Sequence, residues 1–260
     1  MSTIATIDEG RGSTAVFLLH GVGGGKEAWP ATIAALVAAG YRAIAWDMPG
    51  YGGSAMIDPY DNPGLARALE TLIDASGARR NVILGHSMGG MVAQEAAVLF
   101  PHKLHGLILS CTSPAFGKPG GHWQRGFLQS RFAPLDAGRG MAGLAPDLVA
   151  AMIGRDAQAE GVALAQAVMS QVPEVTYRAA LCAIVSFDRR AELGSIAVPT
   201  LCLAGEDDRN AMPSVMEKMA RRIPGAQYLC LPRIGHIASL EAPAMFNAPV
   251  LDFLKRHFPS

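Results

Sequence analysis

The chain of 260 residues carries no excess of either charge: 22 Lys and Arg balance 22 Asp and Glu. It therefore has no basic field to hold a polyanion, and a nucleic-acid partner is not expected. No run of about 18 apolar residues occurs, which argues against a membrane span and a membrane partner. Met1 to Gly10 lacks a basic stretch followed by an apolar one, so no secretory signal is read there and a cytoplasmic protein is expected. Cysteine is sparse. Cys111, Cys182, Cys202 and Cys230 have no CxxC or CxxH spacing, and three of them lie in apolar, strand-like runs. They read as buried small hydrophobes rather than as a zinc site or a disulfide framework. No two histidines stand four apart with a glutamate between them, so no metal is expected. Internal repeats and low-complexity tails are absent too.

What is present is half apolar, 17% charged, and punctuated by 29 Gly and 17 Pro, which fits one well-cored α/β domain. Short apolar runs alternate with helical patterns, the signature of βα units on a parallel sheet. Val16–Leu19, Arg42–Trp46, Asn81–Leu84, Gly106–Leu109, Thr200–Leu203 and Tyr228–Leu231 read as strands. They are continuously apolar because such a sheet is covered on both faces. Ala31–Ala39, Pro63–Ser76, Gly90–Leu99, Pro213–Arg222 and Pro243–Phe258 read as helices, with Pro249 expected to kink or restart the last. Ser2–Ile7 reads as a strand turned back toward Val16 by Gly10–Ser13, giving an antiparallel edge pair. The alternation fails between Ser113 and Arg190, where Gly/Pro-rich linkers (Pro114–Gly121 and Ala133–Gly143) separate helical stretches such as Leu144–Ile153 and Glu160–Gln171. The expected organisation is a core, first part, over 1–112, a helical lid over 113–190 and a core, second part, over 191–260. The lid should cap the carboxyl ends of the strands, where ligands bind in such sheets.

Asn81-Val82-Ile83-Leu84-Gly85-His86-Ser87-Met88-Gly89-Gly90 is a strand, then G-x-S-x-G, then a helix. On so sharp a turn Ser87 sits in strained backbone with its hydroxyl exposed, and Gly85 and Gly89 avoid Cβ collisions across the turn. The following helix aims its N–H groups and positive dipole end at any anion forming beside Ser87.

With this elbow the chain resembles the α/β-hydrolase superfamily nearly end to end. His20-Gly21-Val22-Gly23-Gly24-Gly25 follows a strand as the family's oxyanion loop does, and Asp47-Met48-Pro49-Gly50-Tyr51-Gly52-Gly53-Ser54 matches its structural D-x-P-G-x-G-x-S turn. The fold implied is a mostly parallel sheet of about seven to eight strands flanked by helices, with a helical lid insertion. The resemblance makes the backbone N–H groups of Val22 and Met88 the oxyanion donors, each such donor being worth about 3–4 kcal/mol where tested. His20 then braces the loop, and Trp29 packs the first helix on the sheet. A serine needs a base, and the base an orienting group, in the chain order Ser…Asp…His that this fold uses. The family's acid is the third residue after Gly205, hence Asp208 rather than Asp207, and its base is His236 of Gly235-His236, followed by Leu240-Glu241-Ala242-Pro243. Glu206 and Asp207 are left to face solvent or cap a turn. His86 is read as a packing residue, His102, His105 and His257 as surface residues, and His122 stays open. No cofactor is required.

Ser87 stands where the family's haloalkane dehalogenases and epoxide hydrolases carry aspartate, which leaves an ester, thioester, lactone or activated C–C bond. Lid segments such as His122-Trp123-Gln124-Arg125 and Ser186-Phe187-Asp188-Arg189-Arg190 look like those of 3-oxoadipate enol-lactonases and related small carboxylesterases. Those lactonases commonly have serine where this chain has Gly21. Trp123 and Arg125 are candidate substrate-binding residues, with Arg125 or Arg131 able to pair with a substrate carboxylate. Three functions share such a site. The first is hydrolysis of a small, largely apolar ester or lactone, in a pocket lined by lid residues such as Phe127, Phe132, Met141, Met152 and Met169. The second is C–C hydrolysis in aromatic-ring degradation, whose enzymes usually carry a Gly-Gly-Pro-Gly loop that Val22–Gly25 does not match. The third is a triad-bearing ligand receptor with slow turnover.

Overall fold

A computed structural model describes residues 4–117 and 120–259. Seven strands are found among them: β1 Thr6–Glu9, β2 Thr14–Leu19, β3 Arg42–Trp46, β4 Arg80–His86, β5 Gly106–Ser110, β6 Thr200–Gly205 and β7 Gln227–Leu231. They form one sheet in the order β1-β3-β2-β4-β5-β6-β7, parallel except for β1. The antiparallel edge is as expected, but its partner is not. β1 pairs with β3, with Thr6 opposite Trp46, instead of folding back on β2. The segment Gly10–Ser13 carries the chain past β3 so that β2 can enter the centre of the sheet. Ser2 and Thr3, at the start of the expected strand, lie outside the described residues.

The helices are α1 Pro30–Ala38, α2 Asn62–Ser76, α3 Met88–Leu99, α4 His122–Asp136, α5 Gly140–Ala150, α6 Ala159–Ser170, α7 Glu174–Val185, α8 Pro213–Ala220, α9 Ala238–Glu241 and α10 Pro243–His257. Local signals set their ends. The Asp61 side chain accepts from the Gly64 N–H at 2.8 Å to start α2, and Gly77 in the left-handed region stops it. Alternate residues of β2 supply two cores. Phe17 and Leu19 pack with Leu65 and Leu69 of α2 and Val92 of α3. Val16 and Leu18 pack with Trp29, Ile33 and Leu36 at α1 and with Phe246, Val250 and Phe253 of α10. Trp29 thus joins the first helix to the sheet as expected.

Proline is less disruptive than its sequence position suggests. α10 runs through Pro249 without restarting, and α4 runs through Pro134 across the stretch read as a linker. In each helix the next residue, Val250 or Leu135, is buried. Seating that apolar face offsets the loss of one backbone donor. Cys111 and Cys202 are buried and Cys230 is half-buried, but Cys182 is exposed on α7. The apolar run around Cys182 is helical, so its spacing turns the thiol outward where a strand would have enclosed it. Helices α4–α7 form the insertion between β5 and β6. No helix of the described residues is long and apolar enough to cross a membrane.

Candidate active site

The strand order reverses between β2 and β4, which are neighbours with Leu19 opposite Gly85. The loops leaving their carboxyl ends therefore meet, as at any such switch point. Ser87 has φ 53°, a strained value for a residue with a Cβ. Its backbone is held by the end of β5: its N–H donates to the Ser110 carbonyl at 2.9 Å, and its carbonyl accepts from Thr112 Oγ1 at 2.7 Å. A Cβ on Gly85 would strike the Gly89 carbonyl, and one on Gly89 would strike that of Leu19. Across the switch point a Cβ on Gly21 would come within 2.9 Å of Ser87 Cβ. The small residue lets the two loops touch.

The loop after β2 is braced from below. The Met48 N–H donates to His20 Nε2 at 2.9 Å, so Nδ1 carries the ring proton and donates to the Gly21 carbonyl at 2.8 Å. Burial lowers the His20 pKa to about 4, which keeps this neutral tautomer in place. Tyr51 donates to the Val22 carbonyl at 2.8 Å. Buried Asp47 accepts from Lys26 Nζ at 2.6 Å and from the Gly53 N–H at 3.0 Å, a bracing role. Among the described residues, nothing accepts the backbone N–H of Val22 or Met88.

Ser87 Oγ lies 3.0 Å from His236 Nε2, and His236 Nδ1 lies 2.8 Å from Asp208 Oδ2. The other carboxylate oxygen of Asp208 accepts from the N–H groups of Asn210 and Ala211 at 2.8 and 2.9 Å. Burial opposes the charge on Asp208, but His236 and these donors outweigh it and hold the carboxyl below its ordinary range. An ionised Asp208 needs a proton on Nδ1, which leaves Nε2 free to accept from the serine hydroxyl. Asp207 points elsewhere. Both its oxygens accept from Arg155, at 2.8 Å each from Nε and Nη2, and its pKa falls from an ordinary 3.8 to about 2. His86 lies with its ring 5.0 Å from that of His236, and burial and that neighbour lower its pKa to about 3. It stays neutral beside His236.

Sequence reasoning missed what holds the histidine loop. The buried carboxylate of Glu241 accepts from the N–H groups of Gly154, Gly235 and Ile237 at 2.7, 2.8 and 2.9 Å. The His236 N–H donates to the Met152 carbonyl of the lid at 2.7 Å. The turn between α5 and α6 is thus bonded directly to the loops carrying Asp208 and His236, with Arg155 on Asp207 and Asp156 on Arg233 as outer ties. An acidic residue in the apolar stretch after Gly235-His236 was the available signal.

A cavity of about 350 Å³ opens beside Ser87 and His236 beneath the lid, small for a ligand pocket. Val22, Met88 and Trp123 are on its wall, as are Phe127, Met152 and Met169, whereas Phe132 and Met141 are not. Trp123 is 61% exposed, beside Phe116 and Phe127. Arg125 does not reach the cavity. Its guanidinium is turned outward to the Gly120 carbonyl and to His122 Nδ1 at the start of α4. Arg131, six residues on and so on a different face of the helix, does line it. Among the described residues no three His, Cys, Asp or Glu side chains converge as a metal site would require.

The model of the alpha/beta hydrolase family matches residues 16–248. The chain belongs to that family. This hydrolase is 34% identical over 248 residues to a protein of Variovorax paradoxus described as a carbamate hydrolase, RutD, covering 93% of this chain and 92% of that one. It is 31% identical over 268 residues to the 2-hydroxy-6-oxo-6-phenylhexa-2,4-dienoate hydrolase of Burkholderia cepacia, covering 95% and 89%. The crystal structure of the enol-lactonase of Burkholderia xenovorans superposes with a TM-score of 0.86 at 25% identity, covering 98% of this chain and 97% of that one.

Two outcomes are expected of the lid ties. Glu241→Gln sets an amide donor against one of three buried N–H groups, and should cost about 1–3 kcal/mol in denaturant unfolding. The Asp207–Arg155 pair stabilises the fold above the ordinary carboxylate pKa and is lost as Asp207 protonates. The difference in thermal midpoint between wild type and Arg155→Met should therefore be full at pH 6 and shrink from about pH 4 toward pH 2. Because the pair is partly exposed, that difference should be small.

Proposed function

We propose that this hydrolase cleaves a small, largely apolar carboxylic ester or lactone through an acyl-enzyme. The observation that carries the reading is the continuous chain Ser87 Oγ, His236 Nε2, His236 Nδ1 and Asp208 Oδ2, with links of 3.0 and 2.8 Å, opening into a small and mostly apolar cavity. Ser87 attacks the carbonyl as its proton passes to His236 Nε2, and Asp208 stabilises the imidazolium that results. The N–H groups of Val22 and Met88 receive the negative oxygen of the tetrahedral intermediate. His236 then protonates the departing alcohol, or the ring oxygen of a lactone. Water attacks the acyl-enzyme by the reverse proton route and frees Ser87.

The carbamate and C–C substrates in the names of the sequence relatives share the requirement for an activated serine and an oxyanion site. The ester reading is favoured by the enol-lactonase structural neighbour and by the oxyanion loop, which lacks the proline of the C–C enzymes.

Release of 4-nitrophenol from acetate, butyrate and octanoate esters tests the reading. Wild type should turn these over, fastest for the short acyl groups that fit the cavity. Ser87→Ala should abolish turnover, and Asp208→Asn should lower kcat by about 10³–10⁴. A folded wild type that leaves all three esters intact would overturn the ester reading and direct the search to carbamates, C–C substrates and slow-turnover ligands.

A further inference from the structure

The two edges of the sheet are finished differently. On β1 the last two residues, Asp8 and Glu9, are charged and exposed, and Asp8 is held by Arg42 at 2.6 Å. Charge placed in this way keeps a further strand from pairing with an edge. β7 has no such guard. Its sequence, Gln227-Tyr228-Leu229-Cys230-Leu231, contains neither charge nor proline, and among the described residues it pairs only with β6. Leu229, at its midpoint, is 41% exposed, while Tyr228 and Cys230 on the opposite face are half-buried. The outer side of β7 thus offers a backbone ladder beside apolar side chains, with no strand of the described residues to take it.

Charge is instead placed at the two ends of the strand, and with opposite sign. The start of β7 lies against the end of α10, where Arg256 Nη1 donates to Gln227 Oε1 at 3.3 Å, and it follows Arg222 just past α8. Arg222 and Arg256 are both exposed, and neither is paired with a carboxylate among the described residues. At the other end the Leu231 carbonyl accepts from the Glu206 N–H at 2.9 Å, and Glu206 Oε2 accepts from the Arg233 N–H at 2.8 Å. The three carboxylates of Glu206, Asp207 and Asp156 gather there against the two guanidinium groups of Arg155 and Arg233. Glu206 Oε1 has no partner among the described residues. The strand therefore runs from a positive end to one of net negative charge.

Such an edge is complementary to itself. A second copy turned about a two-fold axis through Leu229 runs antiparallel, so that Leu229 faces Leu229, Tyr228 faces Cys230, and the basic start of each strand faces the acidic end of the other. Parallel pairing would set like ends together. We infer that two copies of this chain associate through β7, antiparallel about a two-fold axis at Leu229, joining their seven-stranded sheets into one. A strand of five residues spans about 17 Å, so the ladder alone is short. The neighbouring helices α8 and α10 supply the rest of an interface of roughly 1,200 Å², the low end for a specific complex, and the dimer is reversible. No residue of β7 lines the cavity beside Ser87, so pairing leaves both cavities open.

Sedimentation velocity over a concentration series, with amide hydrogen exchange on the same samples, tests the inference. Wild type at low salt should pass from monomer to dimer between about 1 and 100 µM, and added salt should move the transition to higher concentration. Exchange within 227–231 should slow as the dimer forms. Leu229→Lys sets two ammonium groups face to face and should weaken association by about tenfold or more. Arg256→Glu, which brings a carboxylate opposite Glu206 of the second copy, should weaken it several-fold, and Glu206→Lys added to Arg256→Glu should recover most of that loss. Circular dichroism and thermal unfolding identify any variant that fails to fold, and recovery in the double variant is a result that misfolding would not produce. A wild type that stays monomeric throughout, or a dimer that is unweakened in folded Leu229→Lys or leaves exchange within 227–231 unchanged, overturns the inference. Ester hydrolysis is untouched by either result.

Discussion

A single buried carboxylate, that of Glu241, holds together the parts on which the site depends. It takes the N–H groups on both sides of His236, from Gly235 and Ile237, and that of Gly154 in the lid. His236 sits on a loop, and an imidazole that drifted by an ångström would lose its contacts with Ser87 and Asp208. Here the N–H groups of Gly235, His236 and Ile237 are all bonded. That of His236 is bonded to the Met152 carbonyl, so the lid turn is a wall of the histidine loop as well as a roof over the cavity.

The remainder of the site follows from strand order. With β2 and β4 adjacent, the loop after one delivers Val22 and the turn after the other delivers Ser87 and Met88. With β6 and β7 adjacent, Asp208 and His236 leave neighbouring strand ends. Charge is placed with equal economy. The carboxylate next to Asp208, that of Asp207, is drawn off by Arg155, and the imidazole next to His236, that of His86, is kept neutral by burial. Asp208 is consequently the charged partner of His236, and the alternative carried by its neighbour is removed by an ion pair rather than by distance along the chain.

Much of this was legible in the sequence. Apolar runs bounded by glycine and proline located six of the strands, because a sheet buried on both faces tolerates little else. The glycines of the elbow located Ser87, because backbone packed that closely leaves no room for a Cβ. What was not legible depended on contacts distant along the chain. Nothing local says that β1 pairs with β3, that α4 continues through Pro134, or that Arg125 turns outward while Arg131 turns inward. Whether a helical residue faces a cavity is decided by how its helix is seated, and α4 is seated by partners such as α5 and α7. Glu241 was hidden for the same reason: one of its three donors lies 87 residues away.

The proposed mechanism requires that Ser87 be a nucleophile activated through His236 and Asp208. Intact-mass and peptide mass spectrometry after treatment with a small fluorophosphonate measures it without reference to any substrate. Serine oxygen attacks phosphorus, fluoride departs, and the adduct persists. One adduct per chain is expected, located on Ser87, formed quickly by wild type and far more slowly by folded His236→Ala and Asp208→Asn. A folded wild type that remains unlabelled, or is labelled elsewhere with Ser87 free, would contradict it.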